Sequence, residues 1–368
     1  MLPKRTLMGP GPSDVYPEVL AAMARPTIGH LDPAFVDFMD GLNELLRYAF
    51  RTKNTVTLPI SAPGSAGMEC AFVNLLEPGD KVVIASNGVF GGRMLENARR
   101  CGAIPVVVDF EWGTPIEPGK VEEALKDNPD AVVLAFVHSE TSTGVRSDAK
   151  TLCQLARDNG CLSIVDAVTS LGGIELLVDD WGVDAMYSGT QKCLSAPPGL
   201  SPVSFNEAAM AKLKSRKTPP QSWFLDLNLL TGYWGPGAKR AYHHTAPINM
   251  LYALNEALLI LKKEGLENAW NRHTANHLKL RAGLEAMGLE FYVEEEFRLP
   301  QLNAVKVPDG VDEAAVRSFL LNEYNLEIGA GLGTLAGKIW RIGLMGASST
   351  EKHIELCLDG LKAALAKG

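Results

Sequence analysis

The sequence predicts an α/β chain: a large domain on a mostly parallel sheet with helices on both faces, then a smaller C-terminal α+β domain. Two observations carry this. Apolar strand-like runs alternate with helical stripes through the first two thirds of the chain, and the pattern changes to short mixed units after about residue 250. Met68, Phe72, Leu75 and Leu76 form a helical stripe behind Pro63-Gly64-Ser65, and Pro78-Gly79-Asp80 turns the chain into the strand Lys81–Ala85. A helix is expected from about Met94 to Cys101, then the strand Ile104–Val108. Ala131–Val137 is a continuous apolar strand, Ser147 is the expected cap of a helix running to Gly160, and Leu162–Val165 and Ala185–Ser188 are further strands. Leu251, Leu254, Leu258 and Leu261 form a long stripe closed by Gly265, and a polar helix with Asn271, Arg272 and His273 leads into strand, helix, strand and helix from about residue 301. The expected division is an N-terminal arm over 1–20, a large domain over 21–255 and a small domain over 256–368.

At 368 residues the chain can bury two cores. A net charge of −8 with 21% charged residues argues against a nucleic-acid or acidic-membrane partner, though a small anion held by local donors and an arginine remains compatible. The six cysteines show no CxxC pair and no interleaving with histidines, as expected of reduced thiols in a cytoplasmic protein. No stretch approaches the roughly 18 apolar residues of a membrane span. The N-terminus has no signal-peptide core behind it, and the C-terminus is not a peroxisomal tail.

In an α/β sheet, ligands sit at the carboxyl ends of the strands, and the segments that carry chemistry fall there. Lys192 lies in Tyr187-Ser188-Gly189-Thr190-Gln191-Lys192-Cys193-Leu194-Ser195-Ala196-Pro197-Pro198-Gly199. Among apolar neighbours an ammonium loses hydration, and the neutral, nucleophilic amine becomes accessible near neutral pH; an ordinary surface lysine is the plain alternative. Upstream, Cys161–Asp166 reads as a buried strand ending in a carboxylate, which needs a cation or several donors. A Schiff-base lysine with an aspartate facing a pyridinium nitrogen is the pair that pyridoxal phosphate chemistry requires. Gly64-Ser65 opens a helix and offers free amides to a phosphate, or simply caps the helix; Thr190 and Gln191 add donors nearby. His138-Ser139-Glu140-Thr141-Ser142-Thr143-Gly144 is either a solvated turn or a ring-binding lip. Arg341 lies in the strand Lys338–Leu344 on the face opposite Trp340 and Ile342, and it pairs either with a protein carboxylate or with that of a substrate. The adjacent His243 and His244 are not at helical zinc spacing, so no metal site is expected.

Taken in order, Met8-Gly9-Pro10-Gly11-Pro12-Ser13, Val165-Asp166-Ala167, Gly189-Thr190-Gln191-Lys192, Ala196-Pro197-Pro198-Gly199, Tyr242-His243-His244-Thr245 and Arg341-Ile342-Gly343 resemble class V aminotransferases of pyridoxal phosphate fold type I, specifically the alanine/serine–glyoxylate group. The resemblance covers nearly the whole chain. It implies a large domain with a mostly parallel seven-stranded sheet and a catalytic Lys192 that forms a Schiff base with pyridoxal 5'-phosphate and moves the substrate proton. Asp166 would bind the pyridine nitrogen and Thr141 the ring hydroxyl. Phe90 and Val168 would pack on the ring, and Gly64, Ser65 and Gln191, with Ala66 beside them, would hold the phosphate. Tyr242 and Thr245 would reach that phosphate from a second subunit, making a homodimer with shared active sites. Arg341 would take the substrate carboxylate, with His30 and Gly29 also at the substrate. Small amino-acid and 2-oxo-acid substrates are implied.

Three departures from the family pattern stand out. Phe90 replaces a frequent tryptophan, and Pro63 removes one phosphate donor. The third concerns the donor: Asp32-Pro33, Glu111-Trp112-Gly113-Thr114 and Gly337-Lys338-Ile339-Trp340 resemble the ureidoglycine–glyoxylate branch, which is expected to place amides near His30 and Tyr242. An imidazole and a phenol there favour alanine or serine as donor over ureidoglycine. Two alternatives remain: a class V lyase or desulfurase, which needs a mobile loop cysteine that neither Cys193 nor Cys357 supplies, and a non-catalytic binding protein on the same fold, which the joint presence of Lys192, Asp166 and Arg341 disfavours.

Overall fold

The computed structural model describes residues 3–235 and 240–367; residues 1, 2, 236–239 and 368, which fall within the expected arm, large domain and small domain, lie outside the described residues. A seven-stranded sheet occupies the centre. Its strands are β1 (Val56–Ile60), β2 (Lys81–Ser86), β3 (Ile104–Asp109), β4 (Ala131–Val137), β5 (Leu162–Asp166), β6 (Ala185–Tyr187) and β7 (Ser201–Phe205), in the order β1-β7-β6-β5-β4-β2-β3. Every neighbouring pair is parallel except the two that β7 makes with β1 and β6. The continuous apolar run of β4 follows from its position: Val133, Leu134, Ala135 and Phe136 are fully buried because strands flank it and helices cover both faces. Val137 pairs with Asp166 and Asp166 with Tyr187, so the carboxyl ends of β4, β5 and β6 finish level.

The sequence pattern does not reveal β1 and β7. Pro59 and Pro202 lie opposite each other in that pair, and a proline inside a short run reads as a break. The helix expected from Met94 begins at Val89 (α2, Val89–Arg100); Gly91 and Gly92 dilute its first turn's helical signal. The cap expected at Ser147 is Asp148, whose carboxylate accepts from Thr151 N, while Ser147 Oγ accepts from Ile116 N at 3.1 Å. The helix after Pro63, α1, spans Gly64–Leu75 and precedes α2.

Two further helices, Ile248–Glu264 and Leu266–Ala286, lead into a three-stranded antiparallel sheet in which β8 (Leu302–Lys306) and β9 (Gly329–Ala330) flank β10 (Ile339–Gly343). One apolar core surrounds the large sheet and reaches Ala269; a second gathers Leu280, Leu284, Trp340, Ile342 and Leu361. Met8 joins this second core, and Thr6–Leu7 adds a parallel pairing with Leu326–Glu327. The N-terminal segment therefore starts in a two-stranded pairing of its own beside the C-terminal strands before crossing to the large sheet. No helix among the described residues is long and apolar enough to cross a membrane.

Candidate active site

Lys192 follows β6 at the level carboxyl edge and is 8% exposed. Burial, followed by the charge of Arg341, brings its ammonium down to about 8. The N-terminal arm packs directly on it. Ser13 N donates to Gln191 O at 2.9 Å, Ser13 Oγ donates to Lys192 O at 2.8 Å, and Lys192 Nζ donates to Pro10 O. The next residue, Gly11, has φ +105°, a conformation that favours glycine, and a Cβ there would lie 2.5 Å from Nζ and push the amine aside.

Asp166, 2% exposed, ends β5. Its Oδ1 accepts from Val168 N at 2.8 Å, and its Oδ2 takes no hydrogen bond among the described residues. Burial lifts its carboxyl to about 7, against the Val168 N–H and the Tyr187 hydroxyl, which favour the anion. Tyr187 Oη is buried beside it without a hydrogen-bond partner among the described residues, and its own pKa is driven well above the usual value by burial and by Asp166.

A cavity of about 220 Å3 joins these groups. Of the expected site residues, Gly64, Ser65, Phe90, Asp166, Val168, Gln191 and Lys192 line it, joined by Pro63, Met68, Arg93 and Tyr187. A wider groove of about 820 Å3 beside Asn54 and Trp234 carries no buried titratable side chain. At the helix end of the cavity no hydrogen bond among the described residues engages the N–H of Gly64 or Ser65, whereas Ala66 N donates to Pro63 O at 2.8 Å. Ala66 is thus not a free donor and does not line the cavity. Thr190 also turns away, its hydroxyl donating to Pro197 O at 2.7 Å.

The segment 138–144 is buried throughout, which rules out the solvated turn. Thr141 Oγ1 lies 2.5 Å from Thr169 Oγ1, and Thr141 O accepts from Arg341 Nη1 at 3.0 Å. Arg341 Nε donates to Ala330 O at 2.7 Å, and among the described residues Arg341 has no carboxylate partner and its Nη2 no hydrogen bond. Its guanidinium charge survives burial, which brings it down only to about 10 against the charge of Glu140, which favours the cation without forming an ion pair with it. Of the two readings of this arginine, a paired protein carboxylate is the one the geometry lacks.

His30, Tyr242 and Thr245 gather elsewhere. The His30 and Tyr242 rings are 5.0 Å apart, both His30 ring nitrogens are buried without partners among the described residues, and Tyr242 Oη lies 3.5 Å from Thr245 Oγ1. Gly29 is exposed and turns the chain by accepting from Asp32 N at 3.0 Å. His244 Nε2, in the same cluster, is 2.7 Å from Ser61 Oγ, just ahead of the α1 amides. None of these residues lines the cavity of its own chain. Sequence reasoning missed Arg93, Tyr187, the Pro10 carbonyl and Glu140. The glycine-proline arm was visible as a motif, but which strand end it would reach was not.

The donor set suits a planar anionic cofactor: a buried carboxylate with an open oxygen at one end, two free helix amides at the other, an aromatic wall and an amine between. The comparisons decide the family. The Aminotransferase class-V model matches residues 13–355. This chain belongs to the class-V aminotransferase family. The family depends on pyridoxal phosphate and has fold type I, in agreement with the sheet described above. The chain is 40% identical to the Rattus norvegicus alanine–glyoxylate aminotransferase over 99% of its own length and 88% of the relative's. A solved Nostoc sp. alanine–glyoxylate aminotransferase matches with a TM-score of 0.97 and 46% identity, covering 99% of this chain and 96% of that one. A solved Bacillus subtilis ureidoglycine–glyoxylate aminotransferase also matches with a TM-score of 0.97, at 40% identity, covering 100% and 94%.

Proposed function

We propose that this class-V aminotransferase uses pyridoxal 5'-phosphate to move the amino group of L-alanine or L-serine to glyoxylate, giving glycine with pyruvate or hydroxypyruvate. The observation that carries the reading is a buried lysine amine in one cavity with a buried aspartate, close to an arginine that has no carboxylate partner among the described residues. Gly64, Ser65 and Gln191 would hold the phosphate, Asp166 the pyridine nitrogen and Thr141 the ring hydroxyl, between Phe90 and Val168; Lys192 would hold the cofactor covalently. When bound, pyridoxal phosphate supplies an aldehyde that accepts the amino group and a ring that takes up the electron pair left by the α-proton. Lys192 Nζ then takes the proton from the substrate Cα, a task suited to an amine whose basicity lies near neutrality. Asp166 keeps a proton on the ring nitrogen by remaining anionic, and Arg341 orients the substrate carboxylate.

A homodimer with shared active sites belongs to the proposal. Tyr242 is 65% and Trp223 63% exposed, and a second copy would bring Tyr242 and Thr245 to the phosphate end. So do the division into arm, large and small domains at residues 20 and 255, and a cytoplasmic location, which suits six buried free thiols. A cysteine-dependent lyase is disfavoured for the same reason: no cysteine is on a mobile, exposed loop. Ureidoglycine is the second donor to test, given the Bacillus subtilis relative, but the His30–Tyr242 contact offers an imidazole and a phenol where a ureido group calls for amides.

Absorbance titration of the cofactor-loaded protein tests the donor. L-alanine or L-serine is expected to bleach the bound-cofactor band and glyoxylate to restore it. A response confined to ureidoglycine or L-aspartate replaces the donor, and no band after adding pyridoxal phosphate overturns the reading. Arg341→Ala is expected to raise KM for donor and glyoxylate together, by roughly 10–100-fold, the worth of charge-assisted hydrogen bonds. Equal losses in kcat with unchanged KM would remove Arg341 from substrate binding.

A further inference from the structure

Glu140 is fully buried and makes no ion pair among the described residues. A carboxylate costs several kcal/mol to bury unless donors converge on it, and here they do. Oε1 accepts from Ser142 N at 3.0 Å and from Ser142 Oγ at 2.6 Å, and Oε2 accepts from Phe90 N at 3.2 Å. Ser142 Oγ in turn accepts from Val89 N at 3.0 Å. The first amides of α2, which have no intrahelical acceptors, are therefore capped by Glu140 and Ser142. The residue at the N-cap position, Gly88, has no side chain to offer, and a Cβ there would run into the Glu140 side chain. A local aspartate or serine would serve a purely structural cap. This helix instead takes its cap from the lip of the active-site cavity.

That origin links two parts of the site. α2 carries Phe90 and Arg93 into the cavity wall, with the Arg93 guanidinium carbon 4.7 Å above the Phe90 ring. Between Glu140 and Ser142, Thr141 O holds Arg341 Nη1 at 3.0 Å. We propose that Glu140 is a positioning residue for transamination: it fixes the aromatic wall on α2 relative to the guanidinium that receives the substrate carboxylate, because one three-residue segment grips both. The chemistry calls for a carboxylate. All the groups that meet Glu140 are donors, and a carboxylate is acceptor-only, whereas a glutamine would turn its own NH2 group against either Phe90 N or Ser142 N. The burial that raises the Glu140 pKa is offset by these same donors.

This inference rests on the cofactor reading above, and its test keeps the two apart. Pyridoxal phosphate affinity is measured first on the wild-type protein, by quenching of tryptophan fluorescence; no binding overturns both. In Glu140→Gln, cofactor affinity is expected to fall and KM for donor and glyoxylate to rise together, each about tenfold, as for one charge-assisted hydrogen bond lost, with kcat at saturation within about threefold. Ser142→Ala, which leaves the carboxylate but removes the Val89 link, is expected to give the same pattern more weakly; it carries the test if Glu140→Gln does not fold. A lower Tm with unchanged cofactor affinity and KM values would reduce Glu140 to a structural cap and overturn the proposal, as would a fall in kcat alone.

Discussion

Lys192→Ala is expected to abolish turnover, by about 10³-fold or more, because it removes both the covalent anchor and the base that moves the substrate proton. The effect should be chemical rather than structural. The alanine loses the Nζ contact to Pro10 O, but the arm stays tied by Ser13 to the backbone of Gln191 and Lys192. The folded variant should therefore still take up pyridoxal phosphate noncovalently, since the Gly64 and Ser65 amides and Asp166 are untouched. Borohydride reduction in the presence of the cofactor is expected to label the peptide carrying Lys192 in the wild-type protein and to leave the variant unlabelled. A label on another lysine would assign the amine elsewhere. With the Lys192 ammonium near 8, capture of the cofactor by the wild-type protein should accelerate as pH rises through that value and level off above it, since only the neutral amine attacks.

Much of this site was legible in the sequence because parallel α/β sheets place strand-end residues together. Asp166 and the lysine box each follow an apolar run, and Val137, Asp166 and Tyr187 are in register across three strands. What stayed hidden depends on contacts far apart along the chain. Pro10 reaches Lys192 because Met8 is anchored in the second core and Ser13 on the loop that follows β6. Glu140 looked like one polar residue among several in a lip; that its carboxylate caps a helix some fifty positions earlier requires the packing of β2 beside β4. Arg93 lies just ahead of Met94, where the helical pattern begins, and Gly91 and Gly92 mask the true start of α2. The tight turn that engages the Ala66 N–H with Pro63 O is a backbone detail that no residue type announces.

Asp166→Asn is expected to cost roughly 10³-fold in kcat, on the scale of a lost proton-transfer partner, while leaving the protein folded. The amide oxygen can still accept from Val168 N, so the substitution removes charge with little loss of packing; Asp166→Ala would instead leave that amide buried without a partner. A kcat within a few-fold of wild type, at saturating cofactor, would show that the charge is not needed. The two titrations in the cavity sharpen the test. Asp166, with its carboxyl lifted to about 7, is anionic only above that value, and Lys192 is neutral only above about 8, so in the wild-type protein cofactor affinity should fall through both as pH drops. Asp166→Asn removes the lower step. It also removes an anion that favours the Lys192 ammonium, so the remaining step should move to lower pH, in the direction that coupling between the two groups requires. If that step stays in place, the two side chains are electrostatically independent, and the aspartate acts on the cofactor alone.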